Sequence, residues 1–95
     1  MPPKPVVLLS PRFLAALTQL SDADANRAEE ALRALPDCFG QPHLHAGISI
    51  RRLRKNIFEC RTGLKARILF RASAQTLEVF FVGNDDEVRR LIRQL

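Results

Sequence analysis

Apolar side chains recur at helical spacing in the first third of the chain. The apolar run from Val6 to Leu9 predicts a short strand, and Ser10-Pro11 predicts a helix start, because serine caps helices and proline fits their first turn. Ser21 predicts a second start, and Pro36 is expected to end the second helix. The apolar stripe of the second helix contains Ala28, Ala31, Leu32 and Leu35. The pattern therefore predicts two amphipathic helices in a hairpin.

After Gly47 the apolar residues recur at every second position, which is typical of strands. The first segment, 48–53, is expected to carry a bulge or bend near Arg51-Arg52. Two further alternating segments centre on Phe58 to Cys60 and Ile68 to Phe70. The last segment, 77–82, is apolar on both faces except at Glu78, so it should be the most buried strand.

The end of the chain predicts one more helix. Phe80 and Phe81 should point to opposite faces of the last strand, as core residues or under a helix. Asn84 is a helix cap, and the acids that follow it and the arginines near the end complement the helix dipole. The predicted order is β-α-α-β-β-β-α, an α+β fold. We expect one domain over 1–95, with a small antiparallel sheet packed by an N-terminal helical hairpin and a C-terminal helix.

Basic residues are concentrated in one part of the chain, whose net charge is +5. The segment 47–71 holds eight bases and one acid, +7, whereas the rest is −2. This distribution is typical of a surface for nucleic acid or for an acidic partner, and the alternative is the solvated face of a basic protein. The eight bases are Arg51, Arg52, Arg54, Lys55, Arg61, Lys65, Arg67 and Arg71.

Other classes of protein and site are disfavoured by what the sequence lacks. No apolar run approaches the roughly 18–20 residues of a membrane span, and the start does not read as a signal peptide. Cys38 and Cys60 have no metal or redox spacing, and His43 and His45 have no evident third ligand. We therefore expect a cytoplasmic protein that uses no cofactor, metal or membrane.

Three segments carry motifs in a fixed order. The passage 42–47 leads into the strands, 57–61 and 66–70 form an E-x-R … R-apolar hairpin, and 82–88 reads V-G-x-x-x-E-V. Together they resemble the RelE/ParE toxins of bacterial toxin–antitoxin pairs. The motifs cover about half of the chain, and the element order covers nearly all of it.

The resemblance implies a type II toxin that an acidic antitoxin neutralises, as a homodimer or in a toxin–antitoxin heterotetramer. In the RelE branch the toxin enters the ribosome and cleaves mRNA by attack of the RNA 2′-hydroxyl, without a metal. Arg61 and Arg67 match arginines that hold the RNA phosphate, and Glu59 matches a candidate base. The remaining bases correspond to an RNA-binding set: Arg51, Arg52, Arg54, Lys55, Lys65 and Arg71. The ParE branch, which inhibits DNA gyrase, implies the alternative of a binding toxin without catalysis.

One position departs from the family pattern. Active members often carry His, Arg or Tyr after the V-G pair, where this chain has Asn84 and Asp85. An aspartate is a poor general acid near neutral pH. Either His43 or His45 supplies the acid, or the protein cleaves poorly, or this position was altered from His. Each candidate also has a structural reading: the arginines as cross-strand ion pairs, Glu59 as their partner, and Asp85 as an acid at a helix N-terminus.

Overall fold

The computed structural model describes residues 4–40, 49–63 and 65–95. It contains a five-stranded sheet in the order β1-β5-β4-β3-β2. The strands are β1 (Val6–Leu9), β2 (Arg51–Arg52), β3 (Ile57–Arg61), β4 (Arg67–Ala72) and β5 (Thr76–Gly83). The helices are α1 (Pro11–Leu17), α2 (Asp22–Cys38) and α3 (Asp85–Gln94).

The predicted fold class is confirmed, with two differences in the sheet. Strands β2 to β5 are antiparallel, but β1 pairs in parallel with β5, so the sheet is mixed. The segment expected to form a full strand at 48–53 contributes only the two residues of β2 to the sheet, and residue 48 lies outside the described residues. The four consecutive strands therefore include one very short edge strand.

Side-chain caps start the helices where the sequence predicts. Ser10 Oγ accepts from the Phe13 N–H at 3.1 Å, and Ser21 Oγ accepts from the Asp24 N–H at 3.2 Å. Asn84 and Glu87 form a reciprocal capping box at α3. These contacts satisfy backbone donors that have no partner inside a helix.

The expected end of the second helix is wrong. Helix α2 continues through Pro36 to Cys38, and the Phe39 N–H still donates to the Leu35 carbonyl at 2.9 Å. Proline removes one backbone donor, the one that would reach Leu32. This loss is tolerated because it falls in the last turn, where few further bonds depend on it.

Two apolar clusters lie on opposite faces of the sheet. The larger one packs the sheet against α1 and α2, and its fully buried members include Phe13, Leu35, Ile68 and Phe70. The smaller cluster packs α3 onto the other face: Ile57, Leu69, Phe80, Val88 and Leu91. Fully burying one such side chain contributes about 1.5–3 kcal/mol. Helix α3 is therefore fixed across the face that carries the charged strand residues.

A β-bulge changes the faces of the aromatic pair on β5. Leu69 pairs with Phe81 and Phe70 pairs with Val79, so Phe80 is an extra residue. Both Phe80 and Phe81 contact the smaller cluster beneath α3. The expectation of opposite faces is wrong because an inserted residue shifts the alternation by one position.

Both cysteines are free thiols among the described residues. Cys60 is fully buried in the larger cluster, and Cys38 is half-buried. Burial, together with the neighbouring charge of Glu59, raises the pKa of the Cys60 thiol to about 12. Cys60 therefore serves as a small apolar core residue.

In the described part of the chain, no helix combines the length and the apolar character needed to cross a membrane.

The cap of α3 should make a measurable contribution to stability. We expect Asn84→Ala to lower the free energy of unfolding by about 0.5–2 kcal/mol, because the Glu87 N–H loses its acceptor. Asn84→Ser keeps a capping oxygen and is the matched control. Urea denaturation followed by circular dichroism measures both, and an unchanged midpoint for Asn84→Ala would show that the cap does not hold α3.

Candidate functional site

A cleft of about 250 Å³ opens between α3 and strands β2, β3 and β4. Its apolar wall comes from Leu53, Val88 and Ile92. Its charged side chains are Arg51, Glu59, Arg67, Asp85, Arg89 and Arg93. The cleft exists because α3 packs across only part of the sheet face and leaves the β2–β3 side uncovered.

Glu59 is the charged group at the base of this cleft. It alternates with Phe58 and Cys60 on β3, so it faces α3, and its side chain is only 4% exposed. Its Oε1 lies 2.8 Å from the Arg51 guanidinium, on the directly opposite residue of β2, and 3.3 Å from that of Arg67. A buried carboxylate is costly unless it is paired, and here two cations pair it.

Arg67 connects Glu59 to helix α3. It projects from β4 with 17% of its side chain exposed, and its Nη1 lies 3.0 Å from Asp85 Oδ1. The other oxygen of Asp85 lies 3.1 Å from Arg89 Nε, one turn along the helix. Arg51, Glu59, Arg67, Asp85 and Arg89 thus form a chain of alternating charges, which we call the arginine–carboxylate network. Its formal charge is +1.

Arg61 extends the positive surface beyond the network. It is the Cα partner of Arg67 on the adjacent strand, and it is exposed. A second cleft, of about 300 Å³, joins it to Arg51 and Glu59. Within the described residues, no carboxylate lies within 4.0 Å of Arg61, so it leaves a free guanidinium beside the network. Guanidinium forks bind phosphates well.

The other predicted RNA-binding bases do not share this surface. Arg52 lies over the Phe58 ring, 5.3 Å from its centroid, on the opposite face. Arg54 donates to the Ile92 carbonyl at 3.0 Å and so caps the end of α3. Arg71 pairs with Glu78 at 3.1 Å and covers Phe80. The structure therefore brings together only part of the +7 segment.

Two lysines lie in the connections outside the network. Lys55 is exposed between β2 and β3. Lys65 is exposed between β3 and β4, where it lines a separate cleft with Arg27. Neither lysine lines the cleft beneath α3.

The structure also adds residues that the sequence reading did not select. Arg89 and Arg93 line the cleft from α3, although their pattern was attributed only to the helix dipole. The four-residue spacing of Asp85 and Arg89 could have indicated this ion pair. His43 and His45 lie outside the described residues. The described lining residues supply guanidinium groups and carboxylates but no imidazole.

Solved structures share this fold at low sequence identity. YafQ from Escherichia coli strain BL21(DE3) superposes with a TM-score of 0.69 at 11% identity, over 90% of this chain and 98% of its own. A chain of the RelB–RelE antitoxin–toxin complex from Methanococcus jannaschii gives 0.68 at 15%, over 88% and 96%. YoeB from Staphylococcus aureus gives 0.62 at 15%, over 85% and 97%.

Sequence comparison alone gives no such likeness. No protein-family model matches this sequence, and no curated protein matches it significantly. The likeness lies in the arrangement of helices and strands, which is the arrangement that the sequence motifs imply. The chain has the fold of the RelE-like toxins.

Proposed function

We propose that this chain is the toxin of a type II toxin–antitoxin pair and that it cleaves ribosome-bound mRNA, with the RNA held on the sheet face beside α3. One observation carries the proposal: Arg51, Arg61 and Arg67 lie side by side on one face of a RelE-like fold. One structural neighbour is itself part of an antitoxin–toxin complex. An acidic antitoxin and RNA would be the two partners of the chain.

The reaction divides among few groups. Attack of a 2′-hydroxyl on the adjacent phosphate needs cations that stabilise the charge of the phosphorane, a base and an acid. Arg61 and Arg67 would supply the cations. Glu59 lies beneath them and holds Arg51 and Arg67, which supports a positioning role over that of a base. Asp85 already accepts from Arg67 and Arg89, which leaves the acid to His43 or His45.

A second function is favoured by the same contacts. Arg67 is engaged by both carboxylates of the network, and no described residue that lines the cleft carries an imidazole. A toxin that binds without cleaving, such as a gyrase inhibitor, needs neither group. Cleavage of a reporter mRNA in a translation extract, mapped by primer extension, separates this function from the first when gyrase supercoiling is assayed in parallel.

Arg67 should matter most if cleavage occurs. We expect Arg67→Ala to slow single-turnover cleavage of ribosome-bound mRNA by about 10²–10³-fold, the loss typical of one preorganised donor. RNA binding should fall much less, since Arg51 and Arg61 remain. Arg71→Ala is the matched control, because Arg71 lies on the same strand and pairs with Glu78 outside the cleft. Equal cleavage rates for wild type and Arg67→Ala would remove Arg67 from the mechanism.

Asp85 should restrain the site through its charge. We expect Asp85→Asn and Asp85→His both to bind RNA more tightly, because each removes the carboxylate that competes with phosphate for Arg67. Only Asp85→His also supplies an acid with a pKa suited to neutral pH, so it should cleave faster than Asp85→Asn. Filter binding and single-turnover cleavage measure the two effects. Unchanged RNA affinity in both variants would contradict this role for Asp85.

A further inference from the structure

The first strand, β1, forms one edge of the sheet and pairs only with β5 among the described strands. The Val6 N–H donates to the Gln75 carbonyl and the Ser10 N–H donates to the Val79 carbonyl, both at 2.9 Å. Because successive residues of a strand turn their backbone groups to opposite sides, the N–H and C=O groups of Val7 and Leu9 point outward. The edge can therefore accept another strand.

The side chains of this edge are apolar where charges would be expected. Val6 is 57% exposed, and Leu8, Leu9 and Leu14 are each exposed by more than 40%. Exposed edges of natural sheets usually carry charged residues, prolines or bulges that prevent pairing with other chains. A grouped set of exposed aliphatic side chains beside unpaired backbone groups marks an interaction surface.

The charge next to this edge indicates the partner. Arg12, three residues after the end of β1, and Arg90 line a cleft of about 240 Å³ that contains Phe81 and Leu91. Within the described residues, no carboxylate lies within 4.0 Å of either guanidinium. Glu87 lines the same cleft, but its Oε1 accepts from the Asn84 N–H at 2.9 Å. Two unneutralised cations beside an apolar edge are complementary to an apolar strand flanked by carboxylates.

We propose that the β1 edge receives a β-strand from the acidic partner of this chain, with carboxylates of that partner bound at Arg12 and Arg90. This inference rests on the proposed function for the existence of the partner. Main-chain hydrogen bonds to Val7 and Leu9 supply affinity, and the exposed aliphatic side chains select an apolar strand.

Charge argues against a second copy of this chain as the occupant. Antiparallel pairing of β1 with itself places Val6 opposite Leu9, and it brings Lys4 of one copy beside Pro11 and Arg12 of the other. Like charges would then meet at both ends of the paired strands, which is destabilising. An acidic segment meets the same positions with the opposite sign.

The direct test is amide hydrogen exchange, read by NMR, on the chain alone and with the small acidic protein encoded by the adjacent gene. We expect the Val7 and Leu9 amides to exchange quickly in the free chain and at least about tenfold more slowly in the complex. The Val6 and Leu8 amides, which face β5, are the internal control and should be protected in both states.

A pair of substitutions separates the backbone from the side chain. Leu9→Pro removes the outward N–H, a loss that an edge strand tolerates, whereas Leu9→Ala removes only side-chain surface. We expect Leu9→Pro to raise the Kd of the complex by more than tenfold and by more than Leu9→Ala does. Arg12→Glu with Arg90→Glu should also weaken it, whereas Arg33→Glu, on the outer face of α2, should not.

Each outcome decides one of the two claims. Failure to form any complex with the adjacent gene product would overturn the toxin–antitoxin proposal and this inference with it. A stable complex in which Val7 and Leu9 stay unprotected, or in which Leu9→Pro binds like the wild type, would overturn only the β1 edge. A free chain whose dimerisation is lost in Leu9→Pro would assign the edge to a second copy instead.

Discussion

The buried ion pairs of Glu59 organise the functional face of this protein. A carboxylate with 4% of its side chain exposed requires compensation, and Arg51 and Arg67 provide it from the two flanking strands. Removing one partner of such a buried pair typically costs about 3–5 kcal/mol, because the other charge is left uncompensated. The carboxylate therefore fixes two long, flexible side chains at the base of the cleft. Without it, the same arginines would sample many rotamers and present a diffuse charge.

Most of the fold could be predicted from the sequence because local signals agree with one another. Ser10, Ser21 and Asn84 cap the helices as their positions indicate, and the apolar spacing separates helices from strands. The errors arose where tertiary packing overrides a local signal. Pro36 is accommodated inside α2, and the bulge at Phe80 inverts the faces of two aromatic residues. A bulge depends on the register between two strands, which no single segment of sequence specifies.

The site was predicted less completely than the fold. Alternation along β3 and β4 correctly placed Arg61 and Arg67 on the face opposite Phe58 and Phe70, because a period of two leaves no other choice. Sequence position alone could not show that Arg52 and Arg54 turn away from that face. It also could not show that Asp85 and Arg89 complete the network, since their place depends on how α3 crosses the sheet.

The most direct test of this account is the RNA affinity of Glu59→Gln at low salt, in protein shown by circular dichroism to be folded. The substitution removes a negative charge from a site that would bind a polyanion, so a purely electrostatic surface would bind RNA more tightly. If Glu59 acts by fixing Arg51 and Arg67, the amide should hold them less firmly, and we expect RNA binding to weaken. Tighter binding by Glu59→Gln would contradict the account.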